Sequence, residues 1–290
     1  MKTAPWIEAM RPRTLPVSAA GVIVAAGYGV MFQCIKWLPA LLCLIFALLA
    51  QIASNFANEY YDYRAGLDKP GRVGPRRGVT EGDITPEAMK RATFLTLGVA
   101  SLIGLSLIYW GGWWLIAAGV AIAIGALAYS AGPYPLSRHA LGELTVILFF
   151  GVVPVNLTFY IFNGGFDLSV ACGSVAVGLM SANILLVNNY RDADDDREVG
   201  KHTLATKFGR ATASTLYLIF GYAAIALFAP LFIELPVIFW VIPTLYLLIH
   251  TTLWIAILRV NGSRLNPMLG LTACNLLLFS LLFLFFSFVR

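Results

Sequence analysis

Charged residues are scarce in this chain. Asp, Glu, Lys and Arg make up 12% of its 290 residues, and apolar residues make up 59%. An ordinary soluble domain has about 25% charged and about 45–50% apolar residues. The mean hydropathy is +0.78. These values exclude a soluble globular enzyme, a disordered chain and a fibrous repeat, and they indicate an all-α, polytopic membrane protein. Because a spanning helix needs about 20 apolar residues, the length predicts about nine helices in a single bundle, with no room for a separate soluble domain.

Cysteine and histidine are also rare. The chain has three dispersed histidines and four cysteines, which lie in apolar segments without CxxC spacing. The cysteines are Cys34, Cys43, Cys172 and Cys274. This pattern does not indicate a disulfide framework or a zinc site, so we expect the thiols to pack as small apolar side chains.

The basic residues show how the predicted helices are oriented. The apolar runs predict helices at 15–33, 37–61, 88–109, 113–131, 141–163, 168–190, 211–232, 235–258 and 268–288. With the N-terminus in the cytoplasm, 18 of the 20 lysines and arginines lie on the cytoplasmic side, and Lys36 and Arg290 do not. The positive-inside rule therefore predicts a cytoplasmic N-terminus and an outer C-terminus, in a bacterial inner membrane. The net charge of +5 then reflects insertion and gives no reason to expect nucleic acid.

Acidic residues gather on the same side, although they do not follow that rule. Thirteen of the fifteen lie there, most of them in or near two motifs that end the second and sixth predicted helices. Asn58 and Asp62 are four residues apart in the first motif, and the second repeats this spacing with Asn188, Asp192 and Asp196. Since residues at i and i+4 share a helix face, each motif aims a row of oxygen atoms in one direction.

The two motifs are separated by 130 residues, from Asn58 to Asn188 and from Asp62 to Asp192. This offset equals four predicted helices. It predicts two pseudo-repeat halves, about 15–131 and 141–258, followed by a ninth helix at 268–288. With an even number of helices in each half, both motifs reach the same membrane face, and parallel repeats place a shared site at their interface.

Facing rows of carboxylates beside lipid are costly and usually mark function. Mg²⁺ typically binds one or two carboxylates plus substrate phosphates, so a diphosphate with Mg²⁺ between the rows balances the charge. The loops after both motifs are rich in Arg, Lys and Gly, which suit close approach to phosphate and paired hydrogen bonds with it. The alternatives are a solvated acidic loop with ordinary helix caps, and basic loops that act only as topology determinants.

At these residues the chain resembles the UbiA superfamily of intramembrane aromatic prenyltransferases over essentially its whole length. Asn58, Asp62, Asn188, Asp192 and Asp196 match positions of the two Asp-rich motifs of that family. The resemblance implies nine transmembrane helices, Mg²⁺ as cofactor, and transfer of a polyprenyl group from a polyprenyl diphosphate to an aromatic acceptor within the lipid bilayer.

The first motif departs from the general NDxxDxxxD pattern of the family. Glu59 replaces its first Asp, Gly66 its last, and the next acid is Asp68. With the following run DKPxRxGPxR and the later NNYRDxxxDRExGKxTL, the chain is similar to the subgroup that prenylates 1,4-dihydroxy-2-naphthoate in menaquinone synthesis. That resemblance implies loss of CO₂ and formation of demethylmenaquinone and diphosphate.

The resemblance also implies a set of site residues. The catalytic residues are then Asn58, Asp62, Asp192 and Asp196, and the metal ligands are these four together with Asp68. The candidates for substrate binding are Arg72, Arg77, Lys201, Asn188, Tyr61 and Tyr190. We expect Phe149, Phe150 and Phe159 to line a channel for the prenyl tail. Arg138 is interpreted as a topology determinant, and Glu143 either lines the site or caps its helix.

Two other functions stay open at this point. One is a related prenyltransferase that uses 4-hydroxybenzoate or homogentisate, against which the GPxR loop argues. The other is a cation transporter, which would also place acids in a helical bundle. Transporters usually place such groups near the middle of the bilayer, however, whereas these acids gather at one face.

Overall fold

Helices make up nearly all of the computed structural model, which describes residues 3–70 and 73–289. The helices are α1 Ala4–Met10, α2 Leu15–Met31, α3 Trp37–Arg64, α4 Pro86–Ser106, α5 Ile108–Gly111, α6 Leu115–Ala128, α7 Gly142–Val146, α8 Val153–Asn163, α9 Leu168–Glu198, α10 Leu204–Ile233, α11 Val241–Arg259 and α12 Asn266–Ser287. A π-helical segment, Ile147–Val152, joins α7 to α8. Short 3₁₀ turns lie at Leu136–Arg138, Val237–Trp240 and Gly262–Leu265.

The predicted all-α membrane fold is confirmed, with fewer full-length spans than predicted. In the described part of the chain, seven segments are long and apolar enough to cross a membrane. They are Trp37–Arg64, Pro86–Gly111, Gly142–Asn163, Leu168–Glu198, Leu204–Ile233, Val237–Arg259 and Gly262–Ser287. The pair α1 and α2, bent by 49°, passes as an eighth. The helix predicted at 113–131 is α6, which has only 14 residues.

α9 is the central helix of the bundle. In its most apolar window 72% of the residues are buried, against 17–44% in the other six long spans. Small residues let its neighbours approach closely: a Cβ atom added at Gly151 would lie 2.3 Å from the backbone nitrogen of Gly178 in α9. This backbone contact fixes the π-helical segment against α9.

The two helices that carry the motifs are longer than a bilayer requires. α3 has 28 residues and α9 has 31, which at about 1.5 Å per residue exceeds the hydrocarbon core of about 30 Å. Their last turns therefore project beyond the hydrocarbon region. The predicted motifs lie on these last turns, where they meet the polar loops.

Two of those loops meet each other beside the motifs. The His202 N–H donates to the Arg138 carbonyl over 3.1 Å, and His139 and His202 form an isolated parallel bridge. This contact joins the loop before α7 to the loop before α10. It brings residues on either side of it, Arg138 and Lys201, to the ends of α3 and α9.

Candidate active site

A cavity of about 700 Å³ joins the two motifs. Its polar part is lined by Arg11, Asn58, Asp62, Arg77, Asn188, Arg191, Asp192, Asp196 and Lys201. The rest of the lining is mostly apolar and comes from α2, α3, α4, α6, the π-helical segment, α8 and α9. The structure therefore brings the two rows of oxygen ligands to the same end of one cavity.

Asn58 organises the first motif. Its Nδ2 donates to Asp62 Oδ2 over 3.0 Å and to Ser130 Oγ over 2.9 Å. Its Oδ1 accepts hydrogen bonds from Arg11 and, over 3.1 Å, from Arg77 Nη2. Both ends of one buried amide are thus occupied, and they hold a carboxylate and two guanidinium groups at the edge of the cavity.

Two cations from distant loops contact Asp62, whose side chain is 2% exposed. Arg138 Nη2 donates to Oδ1 and Lys201 Nζ donates to Oδ2, each over 3.2 Å. Lys201 Nζ also lies 3.9 Å from Asp196 Oδ1. The Lys201 ammonium therefore connects the first motif with the second.

Asp192, in the second motif, pairs with its own neighbour in sequence. Arg191 Nε donates to Asp192 Oδ1 over 2.6 Å, and Nη2 donates to Oδ2 over 2.7 Å. The same guanidinium donates to Asn188 Oδ1 over 2.7 Å and to Asn266 Oδ1 over 2.9 Å. Because arginine presents its five N–H donors in one plane, this buried side chain holds two motif residues and the start of α12 together.

Arg77, in the loop after α3, is buried beside the first motif. Its Nε lies 3.4 Å from Asp68 Oδ2, and its Nη1 lies 4.0 Å from Glu59 Oε2. Glu59 Oε1 accepts the Val79 N–H over 3.0 Å. Glu59 therefore holds the loop in place, and Asp68 contacts Arg77 without being part of the cavity lining.

The remaining predicted substrate-binding residues lie elsewhere. Arg72 lies outside the described residues. Neither predicted tyrosine is part of the cavity lining: the ring of Tyr61 packs edge-on against Tyr60, with centroids 4.9 Å apart, and Arg210 lies 5.8 Å from the ring centroid of Tyr190. The structure therefore gives Tyr61 an aromatic contact and Tyr190 a cation–π contact with Arg210.

Of the three phenylalanines expected along the tail channel, two line the cavity. Phe149 and Phe150 do so from the π-helical segment. The expectation for Phe159 was wrong, because its side chain is fully buried between helices and its ring packs against Phe32, with centroids 5.3 Å apart. The two rings of the π-helical segment thus face the cavity, whereas the α8 ring faces the core.

The profile of the UbiA prenyltransferase family matches residues 14–271, most of the chain. The chain belongs to this family. The 1,4-dihydroxy-2-naphthoate octaprenyltransferase of Escherichia coli (strain K12) is 38% identical over 221 residues, which cover 73% of this chain and 71% of that relative. The protein of the same name from Mycobacterium tuberculosis (strain ATCC 25618 / H37Rv) is 37% identical over 214 residues, covering 74% and 73%.

Solved structures of UbiA homologs share the fold. The homolog from Archaeoglobus fulgidus bound to DMAPP and Mg²⁺ has a TM-score of 0.70 at 15% identity, covering 98% of this chain and 99% of that one. The apo structure of the homolog from Aeropyrum pernix K1 has a TM-score of 0.70 at 17% identity, covering 92% and 94%. The helical arrangement of this UbiA-family chain is therefore shared well beyond the range of obvious sequence similarity.

Three arginines of this UbiA-family site were not among the predicted site residues. Arg191 stood inside the run NNYRDxxxDRExGKxTL, which carries the resemblance, so that run had a signal for it, whereas Arg11 lies before the first predicted helix and outside both quoted runs. Arg138 had no local signal. Its interpretation as a topology determinant was incomplete, because its side chain reaches Asp62 through a loop contact that only the folded chain makes.

Proposed function

We propose that this UbiA-family chain transfers a polyprenyl group from a polyprenyl diphosphate to 1,4-dihydroxy-2-naphthoate. The carboxylate is lost as CO₂, and demethylmenaquinone and diphosphate are released in menaquinone synthesis. Relatives named for this acceptor match 73–74% of the chain. The distinctive loop after the first motif, with Arg77 buried at its end, supports the same acceptor.

One observation carries the proposal: a single cavity has two chemically different parts. Its polar end holds both motifs and several cations, and its longer apolar part is lined by helices that face lipid. A polyprenyl diphosphate has the same division into a charged head and an apolar tail. The cavity therefore fits such a molecule with its diphosphate between α3 and α9.

The donor atoms at the polar end fit Mg²⁺, which prefers oxygen ligands. Asn58, Asp62, Asp192 and Asp196 would hold it, whereas Asp68, also predicted as a ligand, contacts Arg77 and is not part of the cavity lining. Within the described residues no three His, Cys, Asp or Glu side chains lie close enough to hold a metal ion together, so phosphate oxygens would complete the coordination, as is usual for Mg²⁺. When bound, the ion offsets the negative charge of the diphosphate.

The chain's own cations suit departure of the diphosphate. Arg11, Arg77 and Lys201 line the polar end, and each contacts a motif oxygen. Fixed positive groups stabilise the negative charge that develops on a leaving group. The apolar walls beside this end exclude water, which protects an electrophilic prenyl group until the electron-rich ring attacks it.

The apolar part of the cavity suits the prenyl tail. Phe149 and Phe150 stand at its wall. A second depression lies beside it between α6 and α8, lined by apolar side chains including Ile122, Phe149 and Leu157. Because α6 is short, this depression offers a lateral route from the bilayer to the cavity.

We also propose that the site faces the cytoplasm, across a bacterial inner membrane, with the C-terminus outside. The distribution of basic residues supports this orientation. In a background without the four native cysteines, Gly165→Cys should react with an impermeant thiol reagent added outside intact cells, and Gly74→Cys should not. Labelling of Gly74→Cys alone would reverse the orientation.

The test of the function is product identification. Membranes that contain the protein are incubated with Mg²⁺, labelled polyprenyl diphosphate and, separately, 1,4-dihydroxy-2-naphthoate, 4-hydroxybenzoate or homogentisate, and products are identified by mass. We expect a prenylated, decarboxylated product from the naphthoate alone. A product from 4-hydroxybenzoate or homogentisate in its place would assign a different acceptor.

A further inference from the structure

A second polar group of side chains lies on the cavity wall, away from the contacts that hold the two motifs. Tyr129, Ser137 and Asn189 line the cavity there. Glu143, in the first turn of α7, is 4% exposed and is not part of the lining. It lies behind Asn189, and the mechanism above uses none of these four residues.

The contact between Asn189 and Glu143 sets the direction of the amide. Asn189 Nδ2 donates to Glu143 Oε1 over 2.7 Å. The NH₂ group of Asn189 therefore faces Glu143, and its Oδ1 is left for the cavity. Among the described residues no donor is bonded to that Oδ1.

The Glu143 carboxyl is only partly hydrogen-bonded in the described structure. Its Oε2 is buried without a hydrogen-bond partner, and it is not the N-cap residue of α7, which is Leu141. A buried acid with half of its hydrogen-bonding capacity unused is costly. The side-chain hydrogen bond that it makes is with Asn189, so this buried acid fixes the orientation of that amide.

The surroundings of Asn189 suit a flat aromatic molecule with hydroxyl groups. Val146, Phe149 and Leu185 add apolar lining to the same cavity. The Ser137 Oγ is buried without a partner in the described structure, and the Tyr129 ring completes the wall. A free amide oxygen beside an apolar surface takes a hydroxyl donor and has nothing to offer a phosphate oxygen, which also only accepts.

We propose that Asn189, oriented by Glu143, binds a phenolic hydroxyl of the aromatic acceptor through its amide oxygen. This rests on the proposed function and names the part of the site that recognises its acceptor. Asn189 contacts the acceptor directly, and Glu143 is a positioning residue. Asn188, the preceding residue, lies on the helix face proposed for the diphosphate. Two adjacent residues of α9 therefore face the prenyl diphosphate and the aromatic substrate, respectively.

The test separates the two substrates kinetically. Asn189→Ala should raise the KM for 1,4-dihydroxy-2-naphthoate about tenfold, the size of one lost hydrogen bond, and leave the KM for the polyprenyl diphosphate unchanged. Asn183→Ala is the matched control, because Asn183 is buried on the same helix and does not line the cavity. It should change neither KM.

Competitive inhibitors with a single hydroxyl identify the contact. Inhibition constants are measured for 1-hydroxy-2-naphthoate and 4-hydroxy-2-naphthoate with wild type and Asn189→Ala. The substitution should weaken one of the two about tenfold and leave the other unchanged. Equal weakening of both, or of neither, would overturn the proposal.

Glu143 is tested through non-additivity. Glu143→Ala should raise the acceptor KM as Asn189→Ala does, and the double variant should be no worse than either single variant. Additive effects, or a rise in the KM for the diphosphate, would overturn the positioning role. If the wild type prenylates a different phenolic acid, the proposed function has failed. The same variants then test Asn189 with that acid, so the two failures are distinguishable.

Discussion

Asp62 and Asp192 occupy matching places at the ends of α3 and α9, yet their partners have different origins. Asp62 contacts Arg138 and Lys201, which lie 76 and 139 residues away. Asp192 receives two hydrogen bonds from the adjacent Arg191. Loops far along the chain therefore supply two cations to Asp62, whereas Asp192 is also held by a cation from its own helix.

This difference predicts which substitutions should disturb each motif. Changes in loops far from α3 should disturb the first motif, and changes near α9 should disturb the second only locally. The two halves of similar plan stay a prediction. If the two halves are repeats, they share the position of the aspartate, Asp62 or Asp192, and differ in which residues balance its charge.

The largest expected effect comes from the two acids themselves. Asp62→Asn and Asp192→Asn should each reduce turnover about hundredfold, ~2.7 kcal/mol in the barrier, since each removes charge that a bound metal ion needs. Steady-state rates with labelled diphosphate measure this. Asp194→Asn is the control on the same helix: Asp194 is exposed and pairs with Arg197 and Arg210, so its loss should change turnover little. A comparable loss of turnover in Asp194→Asn would mean that turnover depends on acidic residues near the end of α9 in general.

A smaller effect is expected from the loop that supports the first motif. Arg77→Ala should lower kcat/KM about tenfold for one substrate, because a buried guanidinium beside Asn58 is lost, and Arg77→Lys should recover only part of it because a point charge does not reproduce the planar fork. Arg76 is half-exposed, pairs with Asp83 and also lines the cavity, so Arg91→Ala, at an exposed position of α4, is the control, and Arg76→Ala should have a smaller effect than Arg77→Ala. Wild-type kinetics in Arg77→Ala would indicate that the loop acts only as a topology determinant.

The smallest effect tests the link between the motifs. Lys201→Ala should lower turnover a few-fold, since Asp62 keeps Arg138 as a second cationic partner. Lys207→Ala, at an exposed position in the first turn of α10, should be silent. If Lys201→Ala exceeds Asp62→Asn in effect, Lys201 contacts the substrate more than it balances the motif.

Hydropathy was enough to predict the all-α membrane fold, and motif spacing was enough to predict that the two motifs meet at one end of the bundle. Spans are set by apolar length, and the i to i+4 rows of acids are local features of one helix. Arg138 and Glu143 could not be placed in this way, because their partners Asp62 and Asn189 come from helices far along the chain. The packing of Phe159 was missed for a related reason: periodicity separates faces of a helix but does not say which face meets a cavity.

The most direct test of the account is metal-dependent binding of the diphosphate substrate by both motifs. Labelled polyprenyl diphosphate is titrated against the purified protein in Mg²⁺ and in EDTA, for the wild type, Asp62→Asn and Asp192→Asn. We predict binding in Mg²⁺ that is lost in EDTA and weakened by either substitution. Undiminished binding and turnover in EDTA, or full binding without one of the two acids, would contradict a single site built from both motifs.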